Sequence, residues 1–90
     1  MVTPNDDSSQ RLDLWLWAAR FFKTRGLSVA EIEKGRIDVN EMPAKPAKAV
    51  RVGDMISIRR PGTPSPQDVT VLGIAKTRGP ASTARGLYEE

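Results

Sequence analysis

Residues 11–58 read RLDLWLWAARFFKTRGLSVAEIEKGRIDVNEMPAKPAKAVRVGDMISI, and the fold follows from where this stretch changes character. Leu12, Trp15, Leu16 and Ala19 recur at helical spacing. Leu14, Trp17, Ala18 and Phe21 form a second apolar stripe beside them, leaving a narrow polar strip of Asp13, Arg20 and Thr24. Such a helix is either wrapped on most sides or leaves one aromatic stripe open for a partner. No Pro or Gly interrupts it before Gly26. Then comes a basic elbow, Lys23-Thr24-Arg25, where Thr24 is placed to cap a second helix from about Arg25 to Lys34. Gly35 stands where a left-handed C-terminal cap is expected.

Beyond Gly35 the period changes. Arg36-Ile37-Asp38-Val39 alternates as a half-buried strand does, and Asn40-Glu41 begins a turn. Ala44 to Val50, with Pro46 and two lysines, reads as an irregular extended arm. Val52-Gly53-Asp54 is a turn signal before a strand at Met55–Ile58. A proline-rich loop, a third strand over Val69–Ala75, a turn at 76–80 and a short helix over 81–88 complete the pattern. Residues 1–10 read as a disordered leader in which Ser8 or Ser9 could cap the first helix. The expected fold is α+β, with two N-terminal helices packed on one face of a small, mainly antiparallel sheet of three or more short strands. The expected units are the leader, a domain over 11–75 and a C-terminal extension over 76–90.

Composition narrows the chemistry. The 90 residues carry 14 Lys and Arg against 11 Asp and Glu, a net charge of +3. Residues 11–60 hold eleven bases and six acids, so this segment is +5 and supplies the whole excess. A basic centre with neutral or acidic flanks is the footprint of a polyanion binder. With no His and no Cys, the usual general base, nucleophile and zinc ligands are missing, so no enzyme, cofactor or metal is expected. The polar, acidic N-terminus does not resemble a signal peptide, and a cytoplasmic location is the simplest expectation.

Arg11-Leu12-Asp13, Thr24-Arg25, Gly35, Val39-Asn40, Lys45-Pro46 and Gly53-Asp54 fall in the order and spacing of the S-four RNA-binding domain, or alpha-L motif, which the chain resembles over about residues 11–58. The stretches Trp15 to Phe21, Lys23-Thr24-Arg25 and Lys45-Pro46 are similar to the ribosome-associated heat-shock protein fifteen subfamily. The resemblance implies the alpha-L fold, binding of structured RNA, and association with large ribosomal subunits stalled with peptidyl-tRNA. Leu14 and Val29 stand where that subfamily is expected to carry basic residues, and Glu31 where the motif is usually apolar.

On this reading the RNA-binding candidates are Arg11, Arg20, Lys23, Thr24, Arg25, Lys34, Arg36, Asn40, Lys45 and Lys48. Several have plainer roles open to them. Thr24 is first a helix cap, Arg11 could pair with a carboxylate, and lysines at a sheet edge resist aggregation. Asp13 near a helix start suits the helix dipole. Trp15, Phe22, Trp17 and Phe21 are expected in the core rather than stacked on bases, and Arg59-Arg60 could serve solubility or RNA equally. The partner expected is RNA, bound by a monomer away from any membrane. The alternatives are a protein-interaction module using the open stripe of the first helix, and an RNA-targeting domain cut from a modifying enzyme.

Overall fold

The computed structural model describes residues 9–60, 62–75 and 78–90. In chain order the elements are β1 (Ser9–Arg11), α1 (Leu12–Ala18), α2 (Arg25–Glu33), β2 (Ile37–Val39), β3 (Met42–Pro43), β4 (Ala49–Arg51), β5 (Met55–Ile58), β6 (Gln67–Val71), α3 (Ala81–Arg85) and β7 (Tyr88–Glu89). The strands β3-β2-β5-β6-β7 form one antiparallel sheet, and β1 pairs with β4 in a separate two-stranded ribbon. Period-two alternation turns Ile37, Val39, Ile56, Ile58, Val69 and Val71 inward. They share one core with Leu12, Trp15, Leu16, Ala18 and Ala19 of the first helical segment and Ile32 of α2. Trp15 is wholly buried, and its indole N–H donates to the Gly73 carbonyl at 2.9 Å, so its one polar atom is satisfied.

The second helix begins and ends as expected. Thr24 Oγ1 accepts the Leu27 amide at 3.1 Å, and Gly35 takes the left-handed conformation with φ 77°. The amides of Gly35 and Arg36 return to the carbonyls of Ile32 and Glu31, which is a Schellman end. α1 stops earlier than its apolar pattern suggests. Arg20 adopts φ 66°, and the Arg20 and Phe21 amides return to the carbonyls of Trp17 and Leu16. This is the same motif with a non-glycine residue in the left-handed position, at a cost of about 1–2 kcal/mol. Burial of Phe21 against Trp15 and Tyr88, at ring-centroid distances of 5.8 and 4.6 Å, offsets that cost.

Other boundaries also move. Ser9 and Gln10 form β1 rather than a leader, Gln10 is buried, and Ser9 is not a helix cap; Ser8 lies outside the described residues. The N-cap position of α1 is Arg11, which offers no side-chain cap. Instead, the orphan amides of Leu12 and Asp13 donate to the carbonyls of Lys48 and Pro46, at 2.8 and 3.2 Å. The arm over 44–48 is thus held to the start of α1, and its last expected residues, Ala49 and Val50, belong to β4. The third expected strand sits earlier, at Gln67–Val71. The terminal helix ends at Arg85, so that Tyr88 and Glu89 can close the sheet as β7.

Candidate nucleic-acid interface

Asp13 is the centre of the basic face. It is fully buried, yet it accepts Arg11 Nε at 3.2 Å, Arg11 Nη2 at 3.1 Å, Arg25 Nε at 3.4 Å and the Leu14 amide at 2.7 Å. Both arginine side chains remain about half exposed, at 49% and 48%. The carboxylate therefore draws the start of α1 and the start of α2 together from beneath, and leaves guanidinium edges facing solvent. The arm delivers Lys48 to the same place, because its carbonyl is fixed on the Leu12 amide. Lys23, Lys45 and Lys48 are exposed and make no ion pair among the described residues.

The remaining candidates divide. Lys34 and Arg36 both bind Glu31, at 3.2 and 2.9 Å. The hydrogen bond from Arg36, helped by Lys34 and opposed by partial desolvation, holds the Glu31 carboxyl below its ordinary range. Arg20 Nε donates to the Gly79 carbonyl at 2.9 Å, so its guanidinium leans on the C-terminal segment rather than on the Asp13 group. Asn40 ties the β2–β3 turn to the β4–β5 turn, donating to Asp54 at 3.2 Å and accepting the Met55 amide at 2.9 Å. Thr24 caps α2.

Arg51 is a cation that sequence reasoning passes over. Its backbone pairs with Ser9 while Arg11 pairs with Ala49 and the intervening Gln10 and Val50 are buried, so Arg11 and Arg51 share the outward face of the β1–β4 ribbon. The inward Val50 was the available signal, but only the long-range pairing relates Arg51 to Arg11. Arg59 and Arg60 are occupied: Arg59 binds Asp38 at 2.8 Å, which lowers the Asp38 pKa, and Arg60 reaches the Phe21 carbonyl and lies over the Phe22 ring at 5.3 Å. Leu14 and Val29 are half-buried.

The aromatic stripe of α1 is largely covered. Phe21 is buried, Trp17 is half-buried, and Arg78 Nε donates to the Trp17 carbonyl. A docking surface requiring an open Trp17–Phe21 stripe therefore loses its main side chain. Across the uncovered face of the sheet Asp38, Ser57 and Asp68 stand in register, and Arg59 pairs with Asp38 there. The cations without an ion-pair partner among the described residues therefore include Lys45 and Lys48 of the arm and Lys23 before α2.

Glu31 restrains two cations, and a test follows. Glu31→Gln is expected to release Arg36 and Lys34, tightening binding to a polyanion about two- to fivefold at low salt, as exposed charge interactions of about 0.3–1 kcal/mol require. Because folding depresses the Glu31 pKa, the ion pairs stabilise the wild type fully above its ordinary 4.5 and are lost as pH falls through the depressed value. Denaturant titrations should therefore show the stability gap between wild type and Glu31→Gln shrinking under acid.

Comparison with known proteins places this geometry. The S4 domain family model matches residues 10–56. The chain is 42% identical to the heat shock protein 15 homolog of Aeromonas salmonicida, covering 100% of this chain and 67% of that one. It is 44% identical to heat shock protein 15 of Escherichia coli K12, covering 89% and 59%. An RQC P-site tRNA stabilizing factor of Listeria monocytogenes is 42% identical over 52 residues, which cover 58% of this chain and 56% of the factor. The trimeric structure of Vibrio cholerae heat shock protein 15 superposes with a TM-score of 0.82 at 38% identity, over 90% of this chain and 80% of that one. The chain spans about two thirds or less of the length of these curated relatives.

Proposed function

The chain belongs to the S4 domain family, among the relatives of heat shock protein 15, and from that premise we propose that it is a non-enzymatic binder of structured ribosomal RNA. One observation carries the reading. Inside the matched region, buried Asp13 gathers Arg11 and Arg25 beside an arm whose Lys45 and Lys48 have no carboxylate partner among the described residues. Guanidinium forks and ammonium groups hold phosphate oxygens, and a fixed arrangement of them selects RNA by backbone shape rather than by base edges. The proposed contacts are Arg11, Lys23, Arg25, Lys45 and Lys48, with Lys34 and Arg36 joining when phosphate competes with Glu31. The proposed roles of Arg20, Thr24 and Asn40 are to shape the surface around them.

The finer reading is a cytoplasmic role on the large ribosomal subunit, serving subunits stalled with peptidyl-tRNA. The likeness to a P-site tRNA stabilizing factor supports it. A single chain contains all the proposed contacts, so a monomer is the proposed binding unit. Crosslinking in cells followed by sequencing of the bound RNA tests this directly. Enrichment of large-subunit ribosomal RNA is expected; enrichment of small-subunit RNA alone would reject the subunit assignment, and recovery of no RNA would reject the function.

A further inference from the structure

The arm and the β2–β3 hairpin enclose an open groove of about 530 Å³, floored by Val39, Met42, Pro43, Ala44 and Ala47. That volume lies within the range of about 300–1,000 Å³ typical of small-ligand clefts. Met42 is 68% exposed, although it lies on the sheet's edge strand and faces this cleft. The charged groups lining the groove are Lys45 and Lys48. An adjoining hollow of about 500 Å³ shares Pro43, Ala44 and Lys45, and Glu33 is the carboxylate on its wall. The main groove thus combines a largely apolar floor with a cationic rim, and Lys48 on that rim also satisfies the Leu12 amide at the start of α1 through its backbone carbonyl.

The occupant that fits has the opposite arrangement, a flat apolar body with anionic groups at its edge. An unpaired nucleotide has that form. Once unstacked, its base exposes both apolar faces to water, and polarizable Met and Pro side chains can cover one of them without base-specific hydrogen bonds. Its flanking phosphates carry the charge that Lys45 and Lys48 lack among the described residues. A duplex fills such a groove badly, because its bases are stacked away from the surface.

We propose that the groove between the β2–β3 hairpin and the 44–48 arm receives one unpaired nucleotide of the bound RNA, its base on the Met42 and Ala47 floor and its phosphates at Lys45 and Lys48. This rests on the RNA-binding reading and deepens it: the preferred RNA is a helix interrupted by a bulge or flanked by a loop.

Two RNA hairpins, identical except for one bulged nucleotide, test the proposal with the full chain. The wild type is expected to prefer the bulged hairpin by about two- to tenfold, the range of a methionine–aromatic contact, because the floor offers no aromatic ring for stacking. Met42→Gln removes the apolar contact at constant charge, and Ala47→Ile fills the groove. Each is expected to abolish the preference while leaving affinity for the perfect hairpin and its salt slope unchanged. Ring current from the seated base should also shift the Met42 methyl resonance upfield in the bulged complex alone. Equal binding of both hairpins, or a preference that survives both substitutions, overturns the groove assignment and leaves RNA binding intact. Binding of neither hairpin at low salt overturns the RNA reading itself. Concentration-dependent self-association that Met42→Gln abolishes would assign the groove to a second copy and also overturn the proposal.

Discussion

Replacing Asp13 with Ala is expected to destabilise the protein by roughly 2–4 kcal/mol, since hydrogen bonds to a charged group contribute about 1.5–3 kcal/mol and one backbone donor would be stranded. The wholly buried carboxylate accepts from Arg11 through two nitrogens, from Arg25 and from the Leu14 amide. This range lies lower than the roughly 3–5 kcal/mol of a fully buried ion pair, because both guanidiniums can turn to water. For a domain of this size, about 4–8 °C of melting temperature accompanies each kcal/mol, so a fall of roughly 8–32 °C is expected in a thermal scan. Asp13→Asn separates charge from packing, keeping an acceptor for Leu14 while releasing the arginines. Asp13 subtracts one positive charge from the face, so its removal does not weaken long-range attraction to phosphate. A folded Asp13→Asn variant with weaker RNA binding therefore reports lost positioning of Arg11 and Arg25. Wild-type stability in both variants would mean that the buried carboxylate organises nothing.

Changing Lys23, Lys45 and Lys48 together to Ala should produce the largest loss of RNA affinity with the least effect on folding. All three are exposed and have no ion-pair partner among the described residues, and the fold uses the Lys48 and Lys45 backbones rather than their side chains. Each lost phosphate contact flattens the logarithmic salt dependence by about 0.7–0.9, so three flatten it by about 2–2.7. Between about 50 and 200 mM salt the wild type should then lose roughly 20–40-fold more affinity than the variant. Filter binding or fluorescence anisotropy at several salt concentrations measures the slope. An unchanged slope with an unchanged melting temperature would remove these lysines from the interface.

Lys23, Lys45, Lys48 and Arg51 differ from Lys34, Arg36, Arg59 and Arg60 in a way that bears on both experiments. The side chains of the first group have no ion-pair partner among the described residues, whereas acids, a carbonyl or an aromatic ring already engage the second. Counting cations along the chain overstates the face available to RNA. The Asp13 carboxylate differs in another way, because it is fully buried and joins Arg11 at the start of α1 to Arg25 at the start of α2 on a single acceptor.

Signals confined to a few neighbouring residues were legible in the sequence. Thr24 caps α2 through an amide three residues away, Gly35 ends it, and Asn40 and Glu41 take positive φ in the turn between β2 and β3. The alternation at Ile37, Val39, Ile56 and Ile58 likewise marked the core face of the sheet. The end of α1 was not legible, because Arg20 enters the left-handed region only where Phe21 finds Tyr88 across the fold. The β1–β4 ribbon, the meeting of Arg11 and Arg25 on Asp13, and the drawing of Arg20 to Gly79 are likewise tertiary outcomes. Sequence by itself determined the two N-terminal helices, the strands β2 and β5 and the identity of the cations, because caps, turns and hydrophobic period act over one or two turns of chain. Which cations stand free for phosphate was decided only by the folded structure, because a charge is neutralised by whatever lies within about 4 Å in space, however distant it is along the chain.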